Sequence, residues 1–544
     1  MPVTSTNKPS PAKSSAGGGF AILGAWLPAL LVLTPLLIIL WRSFQPAGEA
    51  WDQIVENRLP GYLRQTLVLL GSVTTLAVLF GVPAAWFVSV YRFPGRRFFE
   101  VALLLPLAMP GFIAAVGYVD AFRELIPVYV WIRKNWGIEA FLKSQEIAPW
   151  IFGTGVLAAT LFPYVYLSCR AVFARQAAGA LEAARLLGAG GFRCFATVAM
   201  PMARPAVAAG ASLVAMEAVN DFGVVTHFGL VPLTPGIFRA WNEGNLVSSM
   251  RLAMILLVIV VIALGIERWQ RGRKKYFTET PDAPLTRARL GPAGVATAWL
   301  ACGIPLLLGF LIPGWRLVRW TLQSWDVMDW PTNLKASVNS FTLAAGATLL
   351  ILVAAFAVTA AHRALRRRSL LLARQVGVLG YAYPGALVAV GMGALVSTLA
   401  FDFPGWASLA LSGSTFGLML AYFIRFLAVA IQPASAGFER LPESLHDAGR
   451  TLGAGPLRTL LEVDLPLIRP ALVAGAALVF IDVFKELTMT LVLRPFDFET
   501  LATLTFRLTD ESRIPEAALP GLLMVSLSLL GLIPLVRLLH DARR

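Results

Sequence analysis

Cysteine is nearly absent from this chain, and so are the residue groupings that enzymes use. Among 544 residues there are three cysteines and four histidines. Cys169, Cys194 and Cys302 are too few and too scattered for a disulfide framework or a zinc site. His227, His362, His446 and His540 lie far apart and form no H-E-x-x-H pair. There is no G-x-S-x-G elbow, and without a single Gly-Lys dipeptide there is no G-x4-G-K-[ST] phosphate loop. Catalysis and ATP binding by this chain therefore have no sequence basis. Charge is scarce too: 14% of residues, against about 25% in an ordinary soluble domain. That excludes a soluble globular protein.

What the chain has instead is apolar length, with 57% hydrophobic residues. Runs of spanning length predict about twelve transmembrane helices, at 20–41, 64–90, 98–120, 149–173, 204–227, 251–268, 294–315, 337–361, 371–400, 406–431, 469–493 and 517–538. An even number places both termini on one side. If that side is the cytoplasm, Arg92, Arg96 and Arg97, the cluster Arg268 to Lys275, Arg363 to Arg368, and Arg537 to Arg544 share it. Roughly 30 of the 46 Lys and Arg then lie inside, as the positive-inside rule requires. The net charge of +15 is thus a signature of topology and anionic lipid, not of nucleic acid.

The chain also repeats itself. Glu182-Ala183-Ala184-x3-Gly188-x9-Val198-x-Met200-Pro201 and Asp447-Ala448-Gly449-x3-Gly453-x9-Val463-x-Leu465-Pro466 keep one spacing at an offset of 265. Earlier landmarks, Gln65-Thr66-Leu67 with Asn339-Ser340-Phe341 and Pro110-Gly111 with Pro384-Gly385, lie at an offset of 274. The external segment 121–148 is the expected site of the difference, matched in the second half by a short turn near Phe401–Gly405. The division predicted is a disordered cytoplasmic tail at 1–19, a first half at 20–270, a cytoplasmic linker at 271–292 and a second half at 293–544. The repeated loops fall at about 175–203 and 435–468. With an even number of crossings per half, the halves are two parallel six-helix repeats in an all-α membrane protein, related by an axis along the membrane normal.

The repeated loop resembles the EAA loop, E-A-A-x3-G-x9-I-x-L-P, of permease subunits of binding-protein-dependent ABC importers, in the form that fuses two permease halves. This resemblance implies a type I ABC importer permease fold in the bacterial cytoplasmic (inner) membrane, multi-pass, with both termini cytoplasmic. It implies two copies of a cytoplasmic ABC ATPase subunit that carry the ATP and Mg, and a periplasmic or lipid-anchored substrate-binding protein outside. No cofactor is implied on this chain. Coupling to the ATPase would fall to Glu182, Ala183, Ala184, Gly188 and Pro201, and to Asp447, Ala448, Gly449, Gly453 and Pro466. Small Ala183 and Ala184 permit close approach, Gly188 permits a sharp turn, and Pro201 is expected to break the chain before the next span. Leu186, Leu187, Leu452 and Leu457 would supply apolar contact. Asp447 and Gly449 depart from the family form, so the two docking surfaces are expected to be unequal.

Charges inside the spans point to the path. Glu217, Asn220 and Asp221 fall in the fifth run, and Asp482, Lys485 and Glu486 fall 265 residues later in the eleventh. Spacing of i, i+3 and i+4 puts each trio on one helix face. A charge at membrane depth costs at least a few kcal/mol unless it meets a cavity or a partner. Four carboxylates and one lysine are thus expected around a shared path. One reading is a cation conduit with transient Fe3+ contact at Glu217, Asp221, Asp482 and Glu486; another is a gate in which Lys485 holds Asp221 or Glu217. A purely structural network pinning the halves is the third. Asp120 and Arg425 read as interfacial or snorkelling residues. The stretch from Lys485 to Ala502 is similar to K-E-L-x-x-T-L-x-L-R-P-x-x-F-x-T-L-A of iron(III) permeases, and Asn220-Asp221-Phe222-Gly223 to their D-F-G turn. The similarity implies iron(III) delivered at an outer mouth near Arg239–Glu243 and Arg494–Thr500, with thiamine, polyamine or another small solute as alternatives. A twelve-helix secondary transporter is the competing class. Its short basic Gly-Asp loop has no match, since Tyr91 to Arg97 carries the charge but lacks Asp.

Overall fold

A computed structural model describes residues 15–46, 48–119, 124–176, 178–271, 287–365, 367–402, 415–442, 444–445, 451 and 454–541. Among the described residues ten helical rods are long and apolar enough to cross a bilayer. In the first half these are α1 (Ile22–Ser43), α2 (Leu59–Val90), α3 (Ile126–Ala174), α4 (Gly191–Asn220) and α5 (Leu246–Trp269). In the second they are α6 (Pro292–Gln323), α7 (Trp330–Leu365), α8 (Thr415–Glu439), α9 (Leu460–Phe484) and α10 (Ile514–Ile533).

Between the second and third rods of each half the polypeptide is broken rather than straight. The run expected as one helix at 98–120 is instead three short pieces, Arg96–Ala102, Leu105–Ala108 and Gly111–Val116. Its counterpart bends by 107° between Arg368–Ala382 and Gly385–Thr398, which makes an eleventh span if the pair is counted as one. Pro106, Pro110 and Pro384 explain the breaks, because each lacks the N–H that would continue the ladder and restricts the residue before it. Two smaller expectations also change. The helix containing α1 starts at Ser15, so residues 15–19 are not tail. The expected external segment is, from Ile126 on, the first part of α3 itself, with a sharp break at Gly137, whose φ is +83°.

Proline leaves a second signature. Pro201, Pro313 and Pro466 do not end their helices but sit just inside a regular segment, each preceded by a π-turn, at Phe195–Ala199, Leu307–Leu311 and Leu460–Asp464. A widened turn accommodates the missing donor, so the helix bulges where a break was expected at Pro201.

The two halves interlock. α1 packs on α7 and on both arms of the bent segment in the second half, while α6 packs on α2, α3 and the Gly111–Val116 helix in the first. Small residues allow the close crossing. A Cβ at Gly117 would lie 2.7 Å from Pro313 Cβ, and a Cβ at Gly391, its repeat counterpart, 2.7 Å from Pro35 Cβ. Tyr118 Oη donates to the Leu308 carbonyl at 2.6 Å, and Arg42 donates to Thr398 Oγ1 at 2.8 Å. A short parallel ladder, Tyr91–Arg92 with Ala288–Arg289, ties the end of the linker to the end of α2.

Candidate functional site

The six in-membrane residues singled out in the sequence converge on one cavity. Glu217, Asn220, Asp221, Asp482, Lys485 and Glu486 all line it, together with Pro110, Gly111, Thr160, Tyr164 and Arg425. They do not share a continuous helix face, however. α4 ends at Asn220, Asp221 is extended (φ −69°, ψ 126°), and a new helix runs from Gly223 to His227. Likewise α9 ends at Phe484 and a new helix runs from Thr488 to Leu493.

Each break is capped by its own acid. Asp221 Oδ1 accepts the Val224 N–H at 2.7 Å. Glu486, 265 positions on, accepts the Met489 N–H at 3.0 Å, the Thr490 N–H at 3.2 Å and the Thr490 hydroxyl at 3.2 Å. Carboxylates at a helix start satisfy orphan donors and meet the positive end of the helix dipole. Gly223 lets the first break pack tightly, since a Cβ there would lie 2.3 Å from Phe112 Cβ. Across the halves, Asn220 Oδ1 accepts the Gly385 N–H at 3.3 Å, and the Phe222 and Phe506 rings are 5.8 Å apart.

Two pairings differ from expectation. The direct ion pair of Lys485 is with neither Asp221 nor Glu217; its Nζ lies 3.0 Å from Asp482 Oδ1, one turn earlier on its own helix, with Glu217 within electrostatic reach. Arg425 is not snorkelling. It is buried and lies 3.3 Å from Glu486 Oε1, because a guanidinium in the middle of α8 finds its counter-ion inside the protein rather than at the interface. At the repeat offset its place in the first half is taken by Thr160, so Asp221 has no matching cation. The cavity therefore carries four carboxylates and two cations. The other residues that sequence reasoning missed are Tyr164 and Tyr381; Tyr381 Oη donates to Glu217 Oε1 at 3.4 Å. Asp120 lies outside the described residues.

A second cavity adjoins the first on the side of the repeated loops. Tyr164, Asp482 and Lys485 line both, and Leu167, Leu213, Gln432 and Pro433 line the far side of the second.

In the first repeated loop the helix Ala178–Leu186 ends in a Schellman turn. The Ala189 N–H reaches the Ala184 carbonyl and the Gly188 N–H the Arg185 carbonyl, both at 3.0 Å, with Gly188 at φ +79°. Leu181 is fully buried and anchors the loop, and Trp86 supports it through rings at 5.5 Å (Phe173) and 5.2 Å (Phe195). Glu182 and Ala184 are half-buried and Ala183 is exposed. Leu186, Leu187 and Phe192 stand 89%, 88% and 83% exposed, away from the bundle. In the second loop Pro466 is exposed on α9, whereas Asp447, Ala448, Gly449, Leu452 and Gly453 lie outside the described residues, as does the side chain of Leu457.

At the opposite end, Glu243 pairs with Arg58 at 3.0 Å, and Glu499 receives both Arg494 and Arg507 at 2.9 Å. The Arg507 guanidinium beside Glu511 holds that carboxyl below the usual carboxylate range.

The family described as "Binding-protein-dependent transport system inner membrane component" matches this chain twice, over residues 77–273 and 355–542. The chain belongs to that family. It is a permease with two family units fused in one polypeptide, a transport subunit rather than an enzyme, and in such importers the ATPase is a separate subunit. The permease is similar to the Fe(3+)-transport system permease protein FbpB 2 of Haemophilus influenzae, 26% identical over 92% of this chain and 96% of the relative. It is also similar to the molybdate/tungstate permease WtpB of Thermococcus kodakarensis, 24% identical over 47% of this chain and 96% of the relative. The sulfate permease CysW of Escherichia coli is 25% identical over 44% of this chain and 83% of the relative.

Proposed function

We propose that this permease imports iron(III), passing it from a binding protein on the outer face to the cytoplasm by alternating access. The observation that carries the reading is the excess of carboxylates over cations in the cavity between the halves. When ionised, the carboxylates in excess of the two cations attract a cation and repel an oxyanion such as molybdate or sulfate. The iron(III) relative also matches nearly the full fused chain, whereas WtpB and CysW match about half of it.

In this reading the repeated loops face the cytoplasm, as do both termini, and the chain sits in a bacterial inner membrane. Two ATPase subunits, carrying ATP and Mg, dock one on each loop. Glu182, Ala183, Ala184, Gly188 and Pro201 serve one handle, and Asp447, Ala448, Gly449, Gly453 and Pro466 the other. The exposed Leu186, Leu187 and Phe192 are the apolar contact of the first. Closure of the ATPases on the handles rocks the halves, and the cavity opens alternately to each side. The test is uptake by proteoliposomes holding the permease, its ATPase and its binding protein. ATP-dependent accumulation of radiolabelled iron(III), without molybdate or sulfate, is expected; accumulation of an oxyanion instead overturns the assignment.

A further inference from the structure

The partition between the two cavities holds oxygen ligands that the helix caps do not use. Asp221 and Glu486 are committed to backbone amides, and Glu486 also to Arg425. Glu217 and Asp482 are not so committed. Glu217 meets the Tyr381 hydroxyl, and Asp482 meets Lys485. Tyr164 lies within electrostatic reach of both these carboxylates, and Tyr381 within reach of both and of Tyr164. The Asp482 and Lys485 side chains keep 24% exposure each, so they are accessible from the cavities they separate.

Carboxylate and phenolate oxygens are hard donors, matched to a small and highly charged cation. We propose that Tyr164, Tyr381, Glu217 and Asp482 form a transient all-oxygen site for iron(III) at the partition, with Lys485 occupying Asp482 while the cargo is absent. The proposal rests on the iron(III) reading and adds the residues that touch the ion. Two donors come from each half. Tyr164 is on α3 and Glu217 on α4, whereas Tyr381 is at the bend of the broken span and Asp482 on α9. Rocking of the halves thus assembles and dismantles the site. On ligation each phenol gives its proton to cavity water, which passes it on to bulk solvent. Two phenolates and two carboxylates then balance the three charges of the ion and the one of Lys485, so the loaded site is neutral. A neutral loaded site lets the cargo pass membrane depth without an uncompensated charge.

The test is a titration of the full chain in lipid nanodiscs with iron(III) nitrilotriacetate, read in the visible, where iron(III) phenolate gives a charge-transfer band that carboxylate ligation lacks. A band is expected in the natural chain, weakened in Tyr164→Phe and in Tyr381→Phe and lost in the double variant. In Lys485→Gln the band should reach half-height at lower iron. No band in the natural chain, or an undiminished band in the double variant, overturns the site. So does a Lys485→Gln titration identical to that of the natural chain, a readout that holds even where a tyrosine variant fails to fold. Uptake by the full complex separates the two levels. Iron(III) uptake with no band removes the site and leaves the import reading standing, whereas no iron(III) uptake at all removes that reading.

Discussion

Glu486 and Asp221 occupy the same repeat position and both cap a helix, but Glu486 has Arg425 beside it, whereas the repeat position of Arg425 in the first half is Thr160. The buried pair is costly to half-remove, because the remaining charge keeps its desolvation penalty. Arg425→Met is expected to destabilise the chain by roughly 3–5 kcal/mol, read as a lower unfolding temperature in detergent. Adding Glu486→Gln should recover much of the loss, since the amide oxygen still accepts a backbone N–H. Unchanged unfolding in the single variant would show that the pair is not structural. Asp221 allows a different separation. Asn caps about as well as Asp, whereas Ala forfeits about 1 kcal/mol. Asp221→Asn should therefore keep natural stability yet lower iron(III) uptake by removing one carboxylate charge from the cavity, and Asp221→Ala should lower both. Full uptake by Asp221→Asn would reduce the residue to a cap.

At the scale of elements, the repeated loop shows what a sequence pattern can and cannot convey. Its glycine was legible because Gly188 sits in the left-handed region at the end of a Schellman turn, a requirement that spacing alone exposes. A β-branched residue there is strained by roughly 1–2 kcal/mol. Gly188→Val should therefore insert and purify normally while losing co-purification with the ATPase subunit. Retention of the complex would count against the loop as a handle. Pro201, expected to break the chain, does not. Hydropathy and spacing do not count backbone donors, so a π-turn before Pro201 or Pro466 has no signature distinct from a break. The breaks at Asp221 and Lys485 were hidden for a related reason, since i, i+3 and i+4 spacing is preserved whether or not the helix continues. All six polar residues nonetheless line one cavity, because charges in an apolar chain have few places to go. Arg425 gave the same signal, a lone charge within the apolar run Leu418–Ile431, but its side-chain length favours snorkelling, and only the position of Glu486 beside it shows otherwise.

For the whole molecule, duplication was plain in the sequence, but interlocking was not, because apolar helices look alike whichever half they cover. α1 belongs to the first half by order and to the second by contact, and α6 the reverse. Helices in lipid gain little from hydrophobic burial and associate through close packing, and the glycine–proline crossings at Gly117 with Pro313 and Gly391 with Pro35 are two of the close approaches that serve it. Covalent linkage through 272–286 is then secondary to this exchange of first helices. Co-expression of two chains cut within that segment should reconstitute a trypsin-resistant complex with near-natural uptake. Omitting residues 1–46 from the first chain should instead expose the second half to proteolysis, although no residue of the second half is missing. Each helix thus stabilises the half it covers rather than the half that encodes it. If the cut chains fail to assemble while the truncated fused chain stays resistant, the linker rather than the exchanged helices holds the permease together.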